Sequence, residues 1–387
     1  MRIEFYRLLS YPVLTPLLSF DAEKVYIVGG CVRDILMNRP LLDLDIVLER
    51  KSSSFINFLM YNFNVSKSTQ SQFLTIKIDS GKLVIDVAQA RREVYPSPGS
   101  LPRVSPCYDI IVDLKRRDFT INSMALAISP RTFELLDPLG GYEDLKKKVL
   151  RVNRVGSFAD DPTRAFRAVK YKHRFGLSYD ARTLEEFGNA EKHLKGISFN
   201  RIMKEIERIC VEERRLIMFE EIGRRRLLYY WDESFDSVDY DLLKELDRIL
   251  PRERSAWFYF LIPFGLEKYF RENKNLFRVH ERKVLENLFE KKLQRCVSVG
   301  ILHNFFKACD EYCVKVWAIL SGVEPGLVEE YLLRREKIRP SISLRYLIGI
   351  VGDPGVARSY YEKIFVELLE GNIKPGEEKE YLKKIIS

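Results

Sequence analysis

The hydrophobic pattern changes near residue 150, and this change limits the folds that the chain can adopt. Between residues 24 and 128, apolar runs and alternating segments such as DLDIVLE (43–49) and KLVIDVAQA (82–90) predict strands. From about residue 155 onward, apolar residues recur every three or four positions, as in 159–175 and 199–219, which predicts helices. The sequence therefore predicts an α+β protein, with a small α/β domain followed by a long helical array.

Composition and charge narrow the function classes. Of the 387 residues, 46% are apolar and 31% are charged, which excludes a disordered chain. No run approaches the roughly 20 apolar residues of a membrane-spanning helix, so we expect no membrane partner. The six scattered cysteines and four histidines show no zinc-type spacing and are typical of free thiols in the cytoplasm. The net charge of +9 lies mostly in residues 1–195 and favours either a polyanionic partner or a solvated basic surface.

Two glycines and two aspartates form the first chemical pattern. Gly29 and Gly30 end a predicted strand and open a helix that carries Arg33, an arrangement that lets backbone N–H groups approach an anion. Asp43 and Asp45 point to the same face of the next strand, where two carboxylates need a cation. The alternatives are an ordinary turn between a strand and a helix, for the glycines, and an edge strand with a solvated acidic face, for the aspartates. The glycine pair, the helix with Arg33 and the two aspartates all occur within 17 residues, which favours an anion cradle beside a Mg²⁺ site, as nucleotidyl transfer requires.

Further polar residues extend this pattern. Asp86, on the following strand, is a candidate third carboxylate that would orient metals or take the hydroxyl proton. In LKRRDFTINSMAL (114–126), Asp118 and Asn122 would be costly to bury without partners. We expect Arg117 on phosphate or ribose and Asp118 on a ribose hydroxyl, with Asp118 as a surface helix cap the alternative.

A later helix carries a candidate base-reading face. In ADDPTRAFRAVKYKHRFG (159–176), Pro162 marks a helix start, and Asp161, Arg164 and Arg167 recur every three residues. Such spacing is typical of ion pairs along one helix face. The alternative is a polar template, because an acceptor and a fork of donors match the edges of bases.

Segment 92–106 holds four prolines and one glycine, which predicts a functional loop without regular structure.

In this order, the motifs resemble those of the class II tRNA nucleotidyltransferases, the CCA-adding family that includes bacterial poly(A) polymerases. The similar segments span about 180 residues: GGCVRDILMNRPLLDLDIVL (29–48), RRDFTINSMAL (116–126), DPLGGYEDLKKKVLRV (137–152), FADDPTRAFRAVKYKHRFG (158–176) and ISFNRIMKEIERI (197–209). The sequence departs from the family pattern at Asp160 and Asn200, where the family usually has glutamate. It also contains no His-Asp dipeptide, so within this sequence we expect none of the phosphohydrolase domain that some relatives carry.

The resemblance implies a polymerase-β-like nucleotidyltransferase head (1–150), a helical neck that selects the nucleobase (151–220), and a helical body and tail (221–387). The body and tail would clamp the acceptor and TΨC arms of tRNA. Arg224, Arg225 and Arg226 are candidates for RNA binding, and the alternative is that they form a solvated basic face. The resemblance implies that Asp43 and Asp45 bind Mg²⁺. It implies nucleotide contacts by Gly30, Arg33 and Arg117. It also implies that Asp161 and Arg164 make Watson–Crick-like contacts with the incoming base, and that Arg167 supports these two residues.

The resemblance also implies a reaction. We expect a template-independent, Mg²⁺-dependent enzyme that completes the tRNA 3′ CCA end from ATP and possibly CTP. CC-only relatives lack a flexible loop between the first two motifs, and segment 91–108 fits that loop, which argues against CC-only addition. Full CCA and A-only addition both stay open. The alternatives are a bacterial-type poly(A) polymerase, whose basic C-terminal extension we do not find, and a non-catalytic tRNA-binding protein.

Overall fold

The computed structural model describes residues 8, 10–21, 23–63, 67–70, 75–79, 84–130, 132–290, 298–307 and 309–386. The chain divides into two compact units, Met1–Glu233 and Ser234–Ser387. The first unit contains the sheet, and the described part of the second is built from helices, so the predicted α+β class is confirmed.

The described strands of the first unit lie between Val25 and Tyr179. They are β1 (Val25–Val28), β2 (Asp43–Leu48), β3 (Lys67–Gln70), β4 (Thr75–Asp79), β5 (Val84–Gln89), β6 (Arg91–Val94), β7 (Arg103–Pro106), β8 (Ala125–Ser129), β9 (Leu135–Leu136), β10 (Val149–Leu150) and β11 (Ser178–Tyr179). Seven of them form one sheet in the order β3-β4-β5-β2-β1-β8-β9, in which β2 and β5 run parallel and the other neighbours antiparallel. The central strand β2 carries Asp43 and Asp45, and its neighbour β1 leads into the Gly29–Gly30 turn.

Helices of the first unit cover this sheet and continue beyond it. They are α1 (Gly30–Leu36), α2 (Ser53–Asn62), α3 (Ile110–Lys115), α4 (Gly141–Lys146), α5 (Ser157–Asp160), α6 (Arg164–Phe175), α7 (Ala181–His193), α8 (Phe199–Cys210), α9 (Arg215–Arg224) and α10 (Leu227–Trp231). Thr120–Asn122 forms a 3₁₀ turn before β8.

Side-chain alternation gives the sheet two packed faces. Leu44 and Ile46 of β2 enter a core shared with α1 and α2. Val47 enters a smaller core on the opposite face, which α3 covers through Ile110 and Leu114. Because successive side chains of a strand point to opposite faces, the odd-numbered residues of β2 lie on the α3 side of the sheet.

The prediction that segment 92–106 lacks regular structure is wrong. β6 and β7 pair antiparallel from Arg91↔Pro106 to Val94↔Arg103 and form a hairpin. Three of the four prolines lie in the connection between the strands, where no ladder hydrogen bond is needed, and Pro106 ends the second strand. The prolines therefore mark the turn of a hairpin, not a loop without regular structure.

Two predicted helical segments are interrupted. Segment 159–175 divides into α5 and α6, because Asp161 is extended, with φ −136°. Segment 199–219 divides between Cys210 and Arg215. The buried Arg215 side chain donates from Nη1 to the carbonyl oxygen of Cys210 at 3.1 Å and so satisfies the end of α8.

The second unit contains α11 (Tyr240–Ile249), α12 (Leu266–Asn273), α13 (Val279–Glu290), α14 (Val299–Phe306), α15 (Glu311–Ser321), α16 (Pro325–Lys337), α17 (Leu344–Val351), α18 (Pro354–Glu370) and α19 (Glu378–Ile386). Within the described ranges, no helix combines the length and the apolar character that crossing a bilayer requires.

Candidate active site

Three carboxylates meet on one face of the sheet. Asp43 and Asp45 lie two residues apart on β2, and Asp86 of β5 lies directly opposite Asp45 in the parallel register. Ile85, beside Asp86, enters the same core as Leu44, so Asp86 shares the face of Asp43 and Asp45. The structure thus places on one face the three carboxylates that the sequence predicts for the metal-binding and catalytic roles.

The charges around Asp45 reflect this crowding. Burial raises the pKa of Asp45 to about 6; the positive charge of Arg117 opposes this rise, while the negative charges of Asp43 and Asp86 add to it. Arg33 makes a smaller opposing contribution. A carboxylate that is held among other carboxylates gains most from a nearby cation.

The glycine turn brings Arg117 to this face. Gly29 has φ +66° and ψ −128°, a conformation that side chains disfavour. A Cβ at Gly29 would lie 2.6 Å from Nη1 of Arg117, so the guanidinium occupies the space that a side chain would fill. Gly30 begins α1, and a Cβ there would lie 3.3 Å from Nη2 of Arg33. The pair of glycines therefore admits two guanidinium groups beside the turn.

Asp113 holds Arg117 in place. Its Oδ2 accepts from Nε and Nη2 of Arg117 at 3.3 and 3.0 Å, and its Oδ1 accepts from Arg116. Burial alone would raise the pKa of Asp113, but Arg117 and Arg116 outweigh burial and lower it. Asp113 was not among the residues predicted from the sequence, although a carboxylate four residues before Arg117 in a helix is a signal for such a pair.

A buried polar network joins the second motif to α6. Arg33, 4% exposed, donates from Nη1 to Oδ1 of Asn122 at 2.5 Å, and Asn122 donates to Oδ1 of Asp118 at 3.1 Å. Oδ2 of Asp118 accepts from Nε and Nη2 of Arg167 at 2.8 and 2.5 Å. The Arg33 guanidinium also lies 4.3 Å from the ring centre of Phe175. In the structure, Asp118 is a junction between head and helix, not a surface cap; its contact with ribose stays a prediction.

The predicted base-reading residues adjoin one another but have separate partners. Oδ1 of Asp161 accepts from the backbone and hydroxyl of Thr163 and from Arg201 at 2.8 Å. Arg164, 5% exposed, donates to Ser157 at 2.6 Å and approaches the hydroxyl of Tyr95 at 3.4 Å. Asp161 precedes α6, whereas Arg164 is its first residue, so Asp161 does not belong to the helix face on which it was predicted.

The β6–β7 hairpin reaches the same place. The N–H of Gly99, in the hairpin turn, donates to the carbonyl of Ala159 at 2.9 Å, and the carbonyl of Gly99 accepts from Arg201. Arg201 therefore joins the hairpin turn to Asp161. Neither Arg201 nor Tyr95 was assigned a role from the sequence, because their partners lie far away along the chain.

Arg224, Arg225 and Arg226 have different environments. Arg225 donates to Glu221 at 2.8 Å, and its guanidinium lies 3.8 Å from the ring centre of Phe187. Arg226 lies over the ring of Tyr229. The Arg224 side chain is 57% exposed and has a loose ion pair with Glu220 at 3.7 Å. An RNA contact by these residues stays a prediction; Arg224 and Arg226 are exposed, whereas Arg225 is half-buried.

The donor set fits a divalent cation that is completed by substrate. In the described part of the chain, no group of three or more His, Cys, Asp or Glu side chains is arranged to hold a metal ion on its own. Mg²⁺ typically takes one or two carboxylates and completes its shell with water and substrate phosphates. Asp43 and Asp45 supply those two carboxylates on one face. Burial raises the pKa of the nearby Cys31 thiol, whose Sγ is engaged by the backbone of Asp43 and Asp45.

Comparisons with known proteins agree with this geometry. Residues 25–151 match the poly A polymerase head domain. The chain is 36% identical over 233 residues to an A-adding tRNA nucleotidyltransferase of Aquifex aeolicus, covering 58% of this chain and 28% of that protein. It is 28% identical over 337 residues to an A-adding tRNA nucleotidyltransferase of Halalkalibacterium halodurans, covering 82% and 78%.

A solved structure extends the likeness over both units. The Thermotoga maritima CCA-adding enzyme complexed with tRNA_CCA has a TM-score of 0.71 and 26% identity, with 99% of this chain and 97% of that chain covered. The sheet, its carboxylates and the matched head define a nucleotidyltransferase-type domain, and such a domain implies a divalent metal. The chain is therefore similar to poly A polymerases in its head domain, and to A-adding and CCA-adding tRNA nucleotidyltransferases over most of its length.

Proposed function

We propose that this protein adds nucleotides to the 3′ end of tRNA, transferring AMP from ATP, and also CMP from CTP if it adds the full CCA end, to the terminal hydroxyl with release of pyrophosphate. The observation that carries the proposal is the common face of Asp43, Asp45 and Asp86, with Arg117 beside it. We take the cation to be Mg²⁺, because hard carboxylate oxygens and substrate phosphates are its preferred ligands.

The residues of this face have complementary roles in the proposal. Asp43 and Asp45 hold the cation, which when bound activates the 3′-hydroxyl and neutralises charge on the transferring phosphate. Arg117, fixed by Asp113, faces the same space and offers donors to the triphosphate. Asp86 orients the metal-binding carboxylates or accepts the hydroxyl proton. Gly29 and Gly30 leave room beside the turn for the guanidinium groups of Arg117 and Arg33, so that Arg117 can reach the triphosphate.

Base selection is assigned to the neighbourhood of α6. Asp161 uses Oδ1 for protein contacts, and among the described residues Oδ2 has no such contact, which leaves it to accept from an incoming base. Arg164 supplies donors from the first turn of α6. Arg167 is held by Asp118 and supports the helix instead of reading a base directly.

We expect Arg164→Ala to reduce the preference between ATP and CTP by about tenfold to a hundredfold, since a good bidentate base contact contributes about 1–3 kcal/mol of discrimination. The measurement is the ratio of kcat/KM values for the two nucleotides on one tRNA, beside the Kd for tRNA. Arg182→Ala, on α7, is the matched control. An unchanged ratio in Arg164→Ala would argue against a protein template.

The RNA partner is proposed from charge and from the relatives. The chain carries a net charge of +9, and the T. maritima structure to which it is similar contains tRNA. We propose a head over residues 1–150, a neck over 151–220 and a tRNA-binding body and tail over 221–387. Arg224 is a candidate contact. A cytoplasmic location is part of the proposal and agrees with the free thiols of the described cysteines.

Because phosphate contacts release counterions, tRNA affinity should fall steeply with salt. Six phosphate contacts would weaken binding about a thousandfold between 50 and 200 mM salt. The measurement is the Kd of labelled tRNA across that range, with an RNA-free nucleotide-binding titration as the control for salt effects on folding. A flat response would remove tRNA as the partner.

Extension of defined tRNAs tests the whole proposal. We would offer three tRNAs: one that lacks the whole CCA end, one that ends in C and one that ends in CC. Each would be incubated with labelled ATP, CTP or both. One terminal A on a tRNA that ends in CC is expected for either full CCA or A-only addition, and growth on the shorter tRNAs separates these two. Long A tails would identify a poly(A) polymerase. Binding without incorporation on every tRNA would indicate a non-catalytic tRNA-binding protein.

A further inference from the structure

The thiol of Cys31 joins the backbone on both sides of Leu44, between the two metal-binding candidates. Cys31 lies in the first turn of α1 and is 1% exposed. Its Sγ accepts from the backbone N–H of Asp45 at 3.1 Å and donates to the carbonyl oxygen of Asp43 at 3.4 Å. One buried side chain thus contacts the main chain of both aspartates.

The sheet explains why these backbone groups need a partner there. β1 pairs with β2 from Val25↔Leu48 to Ile27↔Ile46. At Gly29 the chain turns into α1, so the pairing of β1 and β2 does not extend to Asp45 or Asp43. A buried backbone N–H or C=O without a partner is costly. The Cys31 thiol, which can act as a weak donor and a weak acceptor, takes the place of the next residue pair of the ladder.

We propose that Cys31 is a positioning residue: its thiol fixes the backbone at Asp43 and Asp45, and thereby holds the two carboxylates at the spacing that a divalent cation needs. This inference rests on the proposed function, because that function assigns the cation to these aspartates. The groups that orient a metal ligand from behind typically change metal affinity when they are replaced.

The chemistry predicts different effects for different replacements. Cys31→Ala and Cys31→Val remove both hydrogen bonds, and valine also fills the volume of the thiol. Cys31→Ser keeps a donor and an acceptor at the same place. Cys210→Ala is the matched control, because Cys210 is another fully buried thiol of the first unit, on α8 and outside the carboxylate face.

The experiment is a titration of the full chain with Mn²⁺ as a spectroscopic probe, followed by electron paramagnetic resonance, with and without a non-hydrolysable ATP analogue. We expect Cys31→Ala and Cys31→Val to bind Mn²⁺ about tenfold more weakly than the wild type. Cys31→Ser and Cys210→Ala should stay within about threefold. The metal concentration for half-maximal nucleotide incorporation should shift in the same order.

Wild-type Mn²⁺ affinity in folded Cys31→Ala or Cys31→Val would overturn the inference, as would a loss in Cys210→Ala equal to theirs. A purely packing role would lower the melting temperature without changing Mn²⁺ affinity. If Cys31→Ala does not fold, the comparison of Cys31→Val with Cys31→Ser decides. A wild type that binds Mn²⁺ but adds no nucleotide to any tRNA would contradict the proposed function and leave this inference standing.

Discussion

Replacing Asp45 with asparagine should reduce nucleotide incorporation by about a thousandfold, while the Kd for tRNA changes by less than about threefold. The substitution keeps the shape of the side chain and removes one of the two charges that would hold the cation. A metal contributes several kcal/mol of transition-state stabilisation, and each 1.4 kcal/mol corresponds to about tenfold in rate. Binding of tRNA is preserved because it depends on phosphate contacts elsewhere.

Single-turnover extension of tRNA at saturating nucleotide is the appropriate measurement for Asp45→Asn, and Asp43→Asn should behave alike. Asp241→Asn is the matched control, since the Asp241 side chain is 96% exposed on α11 and should show wild-type rates. Normal turnover in either head variant would remove the metal assignment. Loss of tRNA binding in both would show that the aspartates support folding instead.

Asp118→Ala should lower the free energy of unfolding by about 3–5 kcal/mol, the range for breaking a buried ion pair by removing one partner. Both oxygens of Asp118 are in use, and the change would leave the Arg167 guanidinium, whose side chain is only 28% exposed, without its carboxylate. Urea unfolding and hydrogen exchange in α6 are the measurements, because Arg167 lies within that helix.

Glu267→Ala is the control for this prediction. Glu267 and Arg271 form an ion pair with the same 2.5 Å separation as Asp118 and Arg167, but both side chains are half exposed. Exposed pairs contribute under about 1 kcal/mol. Equal losses in Asp118→Ala and Glu267→Ala would contradict the claim that burial gives the Asp118 pair its importance.

The acid response gives a second readout for Asp118. Burial alone would raise its pKa, but Arg167 and Arg164 outweigh burial and hold the pKa at about 2, below the ordinary 3.8. A depressed carboxyl pKa in the folded state gives stability that is present above pH 3.8 and lost as pH falls toward 2. The wild type should therefore lose stability more steeply than Asp118→Asn across that interval.

Local spacing explains which parts of the site could be predicted. Asp43 and Asp45 were found from the sequence because residues two apart on a strand share a face whatever the rest of the fold does. The glycine turn could also be predicted from residues that are close together in the sequence. Its physical reason emerged only in the structure, where Arg117, nearly 90 residues later, fills the space beside Gly29.

Tertiary contacts account for what the sequence analysis missed. The partner of Asp118 is Arg167, 49 residues away, so spacing alone left cap and nucleotide contact as the only alternatives. Arg201 contacts a hairpin turn 102 residues earlier in the chain. The hairpin itself was missed because four prolines outweighed the alternation of Arg91 to Val94, although three of them lie in its turn.

The most direct test is the incubation of wild-type protein with tRNA ending in CC, labelled ATP and Mg²⁺, in parallel with the same mixture containing excess chelator and with Asp45→Asn. We expect one added adenosine and released pyrophosphate in the first reaction, and neither product in the other two. Incorporation that persists with chelator or in Asp45→Asn, or no incorporation by the wild type on any tRNA, would contradict it.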